Sequence, residues 1–233
     1  MSTTISTSDL FREQSAPIWT KLHGHPFITE LAEGTLPLEK FRFFLEQDVF
    51  YLEEYARCLA MGAAKSRTSD ELRYFAADLN NVLDAEIPSN LSLLSKVIEL
   101  GAEDRGGSRG MSPANVAYTS YMHSLSLRGG PLDIMASLLP CSWSYVEIAT
   151  ALRDRTEFTH PVYGEWIAYF SLPQTVEVVT KMRRDFDALV LDEITTEARR
   201  GEIANIFATS SRLEHGFWEM AYTLEQWPDL IDP

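Results

Sequence analysis

IMASLLPCSWSYVEIATAL, residues 134–152, is the stretch that says most about the fold of this chain. Its apolar residues recur at helical spacing with no polar block between them, which predicts a helix buried on most of its faces. Pro140 has no N–H to donate to the carbonyl of Ala136, so the helix is expected to bend there. The bend falls one residue before Cys141. Tyr145 follows four residues later, so its ring shares a helix face with the sulfur.

Two interpretations of Cys141 follow from this segment. A thiol and a phenol side by side on a kinked apolar helix favour a site that binds or transforms a ligand. Free cysteine is also often a small buried hydrophobe with no chemical role. The segment alone leaves both interpretations open.

Helical periodicity extends over almost the whole chain, and no run of alternating residues predicts a strand. The predicted helices are residues 8–22, 37–65, 69–100, 112–127, 132–155, 161–170, 172–199 and 202–224. Ser8 is the expected cap of the first helix, which Pro17 interrupts, and Pro88 is expected to bend or break the third. The pattern predicts one all-α domain, a bundle of about eight helices over residues 8–233, after a disordered tail of residues 1–7.

Composition limits the classes of function. The chain has 233 residues, 45% of them apolar, and a formal charge of −14 that disfavours nucleic acid and anionic membrane surfaces as partners. Two distant cysteines, Cys58 and Cys141, do not make a disulfide framework. With no secretory leader and no apolar run of about 20 residues, we expect a cytoplasmic protein with reduced thiols.

A second candidate position lies in the helix predicted over residues 37–65. Asp48 and Tyr51 are three residues apart and point the same way, among neighbours that include Phe44 and Tyr55. A carboxylate in aromatic company needs a partner. The alternative is that Asp48 only hydrogen-bonds within the core or at its edge.

Glu214 and Tyr118 complete the set of candidate residues. Phe217 and Trp218 follow Glu214 at helical spacing, and a carboxyl on an aromatic face has the raised pKa of a general acid or base. The alternative is a surface glutamate beside an aromatic anchor. Tyr118, taken singly, is typical of ordinary helix packing.

Together these residues suggest one kind of chemistry. A thiol needs a proton acceptor to become a useful nucleophile, and a carboxyl can take that role. A second carboxyl can bind an amino group or a ring nitrogen, while aromatic rings stack a flat heterocycle. The set favours an aromatic, cationic or amine-bearing small molecule. The five histidines do not show the Glu-x-x-His spacing of di-iron bundles, so we expect no metal site.

The chain resembles the TenA family (thiaminase II, aminopyrimidine aminohydrolase), which has the haem-oxygenase-like all-α fold. The resemblance covers roughly residues 11–227. The motifs that carry it are His25-Pro26-Phe27, Gly34-Thr35-Leu36-Pro37 with Phe41, Gln47-Asp48 with Tyr51-Leu52, Tyr118-Thr119-Ser120 with Met122, Leu138-Leu139-Pro140-Cys141-x-Trp143-x-Tyr145, His160-Pro161-x-Tyr163 with Trp166-Ile167, and Glu214 with Phe217-Trp218-x-Met220-Ala221-Tyr222.

The resemblance implies a homotetramer that needs no cofactor. Its reaction would replace the exocyclic amine of 4-amino-5-aminomethyl-2-methylpyrimidine by hydroxyl, in thiamin salvage, and would also cleave thiamin to hydroxymethylpyrimidine and the thiazole. An alternative is a non-catalytic pyrimidine- or thiamin-binding or regulatory protein on the same scaffold. A haem or di-iron oxidase is disfavoured, because His23-Gly24-His25-Pro26 is a helix break rather than a helical ligand.

The resemblance also implies catalytic roles. Cys141 would add to the pyrimidine ring as nucleophile, and Glu214 would serve as acid and base. Tyr51 would tune the thiol. Asp48 would bind the pyrimidine amino group and ring nitrogens.

The other implied roles concern the pocket wall. Tyr145 would hydrogen-bond the substrate, Tyr118 would line the pocket, and Phe170 and Phe217 would offer stacking faces. Phe170 stands where relatives often have a pocket tyrosine, which removes a hydroxyl. Asn90 stands where relatives often have histidine. The presence of Cys141 indicates the cysteine-bearing branch of the family.

Overall fold

The computed structural model describes residues 5–153 and 160–228, and all regular elements within these ranges are helices. The α-helices are α1 (Thr7–Gln14), α2 (Ala16–His23), α3 (Pro26–Glu33), α4 (Leu38–Lys65), α5 (Ser69–Asn81), α6 (Ile87–Glu99), α7 (Pro113–Arg128), α8 (Pro131–Arg153), α9 (Pro161–Phe170), α10 (Pro173–Glu193) and α11 (Glu197–Thr223). The predicted all-α class is confirmed. Over the described residues no helix is long and apolar enough to cross a membrane.

Helix α8 lies at the centre of the bundle. It packs against α4, α7, α9, α10 and α11, and most of its residues are buried, as its continuous apolar pattern predicts. The hydroxyls of Ser137 and Ser144 donate to carbonyls one turn earlier in the same helix, at 2.8 and 3.0 Å. Helix α8 continues through Pro140, so Cys141 lies well inside it.

The N-terminal segment differs from its prediction. Ser6 rather than Ser8 caps α1, accepting a hydrogen bond from the Asp9 N–H at 3.1 Å. Ser8 instead lies inside the helix, where its N–H and hydroxyl both donate to the Asp187 carboxylate. The break falls at Ser15, ahead of Pro17, because proline suits the first turn of a new helix. Thr7 is helical, and residues 1–4 of the expected tail lie outside the described residues.

The single helix predicted over residues 172–199 is wrong. Helix α10 ends at Glu193, and α11 begins only after Thr196, whose hydroxyl accepts a hydrogen bond from the Arg199 N–H at 3.2 Å. A threonine cap starts a new helix without disturbing the apolar period, so periodicity alone did not detect the break. The predicted end of α8 at residue 155 lies outside the described residues.

A π-helical turn, Val82–Glu86, joins α5 to α6 without a break in the chain's helical course. Pro88 has no N–H for the carbonyl of Asp84, and the helix accommodates it in the first turn of α6. The disturbance of the helix expected at Pro88 is therefore present, in the form of a wider helical turn. The turn carries Glu86 four residues ahead of Asn90.

Gln47 on α4 hydrogen-bonds to the glycine-rich loop that precedes α7. Its amide donates to the carbonyls of Gly107 and Gly110 at 2.7 and 2.8 Å and accepts from the Ser112 N–H at 2.9 Å. Asn115 donates to the same amide oxygen at 3.1 Å. The neighbouring Asp48 is thereby held on a rigid part of α4.

Gly62 marks a close contact between α4 and α5. A Cβ at this position would lie 2.3 Å from Cε1 of the Phe75 ring, whereas a Cβ at Gly201 in α11 would meet nothing within 4 Å. We expect Gly62→Ala to lower the free energy of unfolding by about 1–3 kcal/mol, because the ring is buried and has nowhere to move. Gly201→Ala, the matched control, should raise it by about 0.5–1 kcal/mol. Urea unfolding checks both, and equal effects would contradict this packing.

Candidate active site

A cavity of about 200 Å³ opens beside α8. Cys141, Ser142, Tyr145 and Val146 form its α8 side. The remaining lining comes from α5, the π-helical turn, α9 and α10: Asp78, Asn81, Ala85, Glu86, Tyr169, Phe170, Gln174, Thr175, Val178, Val179 and Met182. The wall is mostly apolar, with a thiol and two carboxyls exposed to the cavity.

The Cys141 thiol is 8% exposed and lies where α8 meets the cavity. Burial raises its pKa well above the usual value, and the nearby Glu214 carboxyl raises it further. Tyr51 opposes this rise in pKa. The Tyr51 hydroxyl makes no hydrogen bond of ordinary geometry with any described residue, so its O–H is available to a thiolate. The thiol is therefore protonated at neutral pH.

Glu214 lies behind Cys141 on α11 and is 1% exposed. Its Oε2 accepts a hydrogen bond from the Tyr118 hydroxyl at 3.1 Å, while Oε1 has no partner among the described residues. Burial raises the pKa of Glu214 from 4.5 to about 8, and the Tyr118 hydrogen bond offsets part of that rise. A carboxyl with such a pKa exchanges protons readily near neutral pH.

Asp48 on α4 is the second buried carboxyl, at 3% exposure. Asn90 on α6 donates to its Oδ2 at 2.6 Å. Burial raises the pKa of Asp48 to about 7, and the hydrogen bond from Asn90 lowers it in part. Asn90 thus fixes one carboxyl oxygen.

Aromatic rings enclose these groups. Tyr145 meets Phe170 edge-on, with centroids 5.0 Å apart, on the cavity side of the cluster. Tyr51 lies 5.5 Å from Phe217 and 4.9 Å from Tyr118 on the buried side. The polar atoms therefore act in a medium of low dielectric constant.

The structure brings all eight candidate residues into one cluster, in two layers. Cys141, Tyr145 and Phe170 line the cavity directly. The others form the layer behind them and are buried: Asp48, Tyr51, Tyr118, Glu214 and Phe217. None of the eight is a surface residue, so the surface alternative for Glu214 is wrong.

Three residues near the thiol were missed as functional candidates. Glu86 lines the cavity, and burial raises its pKa to about 8. Asp78 also lines it, and burial raises its pKa to about 7. Ser142 completes the group, with its hydroxyl 3.1 Å from that of Tyr55. The spacing of Glu86 and Asn90 by one helical turn was the available signal, but only the π-helical turn directs Glu86 to the cavity.

No group of three or more His, Cys, Asp or Glu side chains that could hold a metal occurs in the described ranges. Likewise, no Lys, Arg or His stands among the described residues that line the cavity. Among these described residues, the ionisable groups that line the cavity are the Cys141 thiol, tyrosine hydroxyls and the carboxyls of Asp78 and Glu86.

Known proteins are similar to this chain over most of its length. Residues 12–224 match the sequence model of the TENA/THI-4/PQQC family. An aminopyrimidine aminohydrolase of Halalkalibacterium halodurans is 35% identical over 92% of this chain and 95% of its own. An aminopyrimidine aminohydrolase of Bacillus subtilis is 31% identical over 95% of this chain and 92% of its own.

Solved structures agree with the sequence comparison. A TenA homologue from P. horikoshii has a TM-score of 0.80 and 28% identity, covering 94% of this chain and 99% of its own. A TenA family transcription regulator from a Silicibacter species has a TM-score of 0.85 and 26% identity, covering 93% of this chain and 96% of its own. The resemblance first drawn from the motifs around Cys141, Asp48 and Glu214 is thus confirmed, and the chain belongs to the TENA/THI-4/PQQC family.

Proposed function

We propose that this protein is an aminopyrimidine aminohydrolase of thiamin salvage, with Cys141 as its nucleophile. The observation that carries the proposal is a thiol on a ligand-sized cavity with Glu214 and Asp48 buried behind it. The relatives named aminopyrimidine aminohydrolase, at 30–35% identity over nearly the whole chain, support a hydrolase that acts on such a compound. The preferred substrate is 4-amino-5-aminomethyl-2-methylpyrimidine, and thiamin is a second one.

The Asp48 carboxyl binds the pyrimidine. Asp48, oriented by Asn90, receives the 4-amino group and a ring nitrogen of the pyrimidine. Its pKa of about 7 allows it to accept from the amino group and to share a proton with the ring nitrogen. Tyr145, Phe170 and Phe217 surround the flat ring, and Tyr118 lies behind it.

Addition begins with proton transfer from the thiol. An ionised Glu214 raises the pKa of the Cys141 thiol, so the pair carries one negative charge rather than two. Glu214 in its ionised form takes the thiol proton, and the Tyr51 hydroxyl steadies the thiolate. The sulfur forms a bond to a ring carbon, and the ring electrons move onto the nitrogen held by Asp48.

Expulsion and hydration complete the cycle. The C–N bond of the 5-aminomethyl group breaks as ring electrons form an exocyclic methylene. Glu214 gives its proton to the departing amine when that amine is neutral, whereas a bound ammonium departs as ammonia without it. Water then adds to the methylene, and its proton goes to ionised Glu214 in the first case and to the released ammonia in the second. The C–S bond breaks, the ring regains aromaticity and Glu214 returns the proton to the sulfur. The net change is amine plus water to alcohol plus ammonia, with no oxidant or reductant.

We also propose that the chain assembles as a homotetramer. Apolar side chains stand half exposed on the segment from α5 to α6: Leu72, Leu83, Leu91, Ile98 and Leu100. Association would remove their surface from water. Sedimentation of the purified protein as a monomer at micromolar concentration would contradict the assembly.

The first prediction tests the nucleophile. Cys141→Ser should lower ammonia release from 4-amino-5-aminomethyl-2-methylpyrimidine by at least about 10³-fold, because a hydroxyl is a far weaker nucleophile toward the ring. Cys58→Ala is the matched control, since Cys58 is fully buried and does not line the cavity. Its activity should stay within about threefold of the wild type.

Two outcomes would contradict the proposal. Equal losses in the two cysteine variants would remove Cys141 from the chemistry. No release by the wild type, with thiamin also uncleaved but a pyrimidine bound in calorimetry, would favour a binding or regulatory protein on this scaffold.

The second prediction concerns Glu214→Gln. The unfolded carboxyl titrates near 4.5 and the folded one near 8, so between these pH values the unfolded state loses its proton first. The carboxyl thus destabilises the fold progressively as pH rises through that window. The stability advantage of Glu214→Gln should grow from pH 4.5 to about 8 and then level off, while ammonia release falls about 10²–10⁴-fold.

Urea unfolding at several pH values checks the stability, with the exposed Glu99→Gln as control. Glu99→Gln should show no comparable growth over the same window. A stability difference for Glu214→Gln that stays flat with pH would mean that the carboxyl is ionised in the folded protein.

A further inference from the structure

Asp78 and Glu86 stand in the cavity and take no part in the chemistry above. Asp78 is on α5 and Glu86 on the π-helical turn. We infer that these two carboxyls form a cation subsite, which holds the positively charged group on the 5-methylene of the pyrimidine. The inference rests on the proposed function, because it gives that substrate its orientation.

Asp78 lacks a full set of partners. Its side chain lines the cavity and is 7% exposed, yet its Oδ2 has no hydrogen-bond partner among the described residues. The Tyr55 hydroxyl, which also lies 3.1 Å from Ser142 Oγ, interacts with Asp78 and lowers its pKa. A buried carboxyl oxygen without a hydrogen-bond partner is energetically unfavourable. A ligand donor in the cavity would satisfy it.

Glu86 links the carboxyls of the site. It interacts electrostatically with both Asp48 and Asp78. The Cys141 thiol is influenced by Asp48 and Glu86. Glu86 and Asp78 line the same cavity as Cys141, so a pyrimidine bound by Asp48 and attacked by Cys141 can place its substituent beside them.

The surroundings suit a cation. No Lys, Arg or His is among the described residues that line the cavity, so none of these residues supplies a counter-ion to the two carboxyls. Burial raises the pKa of both carboxyls, which is the expected response of acids that lack a positive partner. Tyr145 and Tyr169 also line the cavity, and aromatic rings attract cations.

The ligand class follows from this charge pattern. The subsite accepts an ammonium group, as in 4-amino-5-aminomethyl-2-methylpyrimidine, or a thiazolium ring, as in thiamin. It gives no such attraction to the neutral hydroxymethyl product. Release of the product would then follow from loss of the charge.

The experiment compares charged and neutral ligands of the same shape by calorimetry at neutral pH. One pair is the aminomethylpyrimidine and its hydroxymethyl counterpart, on Cys141→Ser protein so that no turnover occurs. The other pair, benzylamine and benzyl alcohol, makes no use of pyrimidine recognition. We expect the cation of each pair to bind at least ~10-fold tighter, and Asp78→Asn to reduce that preference to about threefold or less.

Matched variants make the result specific. Asp84→Asn changes an exposed aspartate on the same π-helical turn, outside the cavity, and should leave the preference unchanged. Glu86→Gln should reduce it in the same direction as Asp78→Asn, and it carries the test if Asp78→Asn fails to fold by thermal melting. Affinities for the neutral ligands should change less than about twofold.

Retention of the charge preference in both carboxyl variants, or equal weakening of charged and neutral ligands, would overturn the subsite. A charge preference with benzylamine, combined with no binding or hydrolysis of aminopyrimidines, would support the subsite and contradict the proposed function. Hydrolysis of aminopyrimidines without a charge preference would support the proposed function and contradict the subsite.

Discussion

Desolvation of ionisable groups around Cys141 is the constraint on which the rest of the site depends. The thiol, Glu214 and Asp48 lie among aromatic side chains, and burial is the largest influence on the pKa of each. In water the two carboxyls would titrate near pH 4, far below neutral pH. Burial brings their pKa values to about 7 and 8, so that each can accept and release a proton near neutral pH.

The fold maintains this state by placing each group on a different helix. Helices α4, α8 and α11 carry Asp48, Cys141 and Glu214, and these three helices pack directly on one another. Each carboxyl also accepts a hydrogen bond from a neighbouring side chain, and this bond offsets part of the rise in its pKa. Asn90 donates to Asp48, and Tyr118 donates to Glu214. Without such a donor the pKa of each carboxyl would rise further, and a smaller fraction would be ionised at neutral pH.

The clustering of the candidate site residues could be predicted from the sequence because its signals are local. The pattern of residues 134–152 is visible over a few turns, and so are the aromatic neighbours of Glu214. The breaks at Ser15 and residues 194–196 were missed or misplaced because capping depends on single side chains. Glu86 and Asp78 were missed for another reason. Their burial depends on which helices meet across the cavity, and periodicity carries no information about that.

The π-helical turn shows how a local irregularity acquires a role in the site. A regular helix from α5 into α6 would rotate every residue after Val82 relative to its present position. Glu86 and Asn90, one turn apart, would then face away from Asp48 together. The π-helical turn accommodates Pro88. It also sets the angle at which α6 presents Asn90 to Asp48. Proline and catalytic geometry are therefore coupled, and a change that regularises this segment would act on Asp48 without touching it.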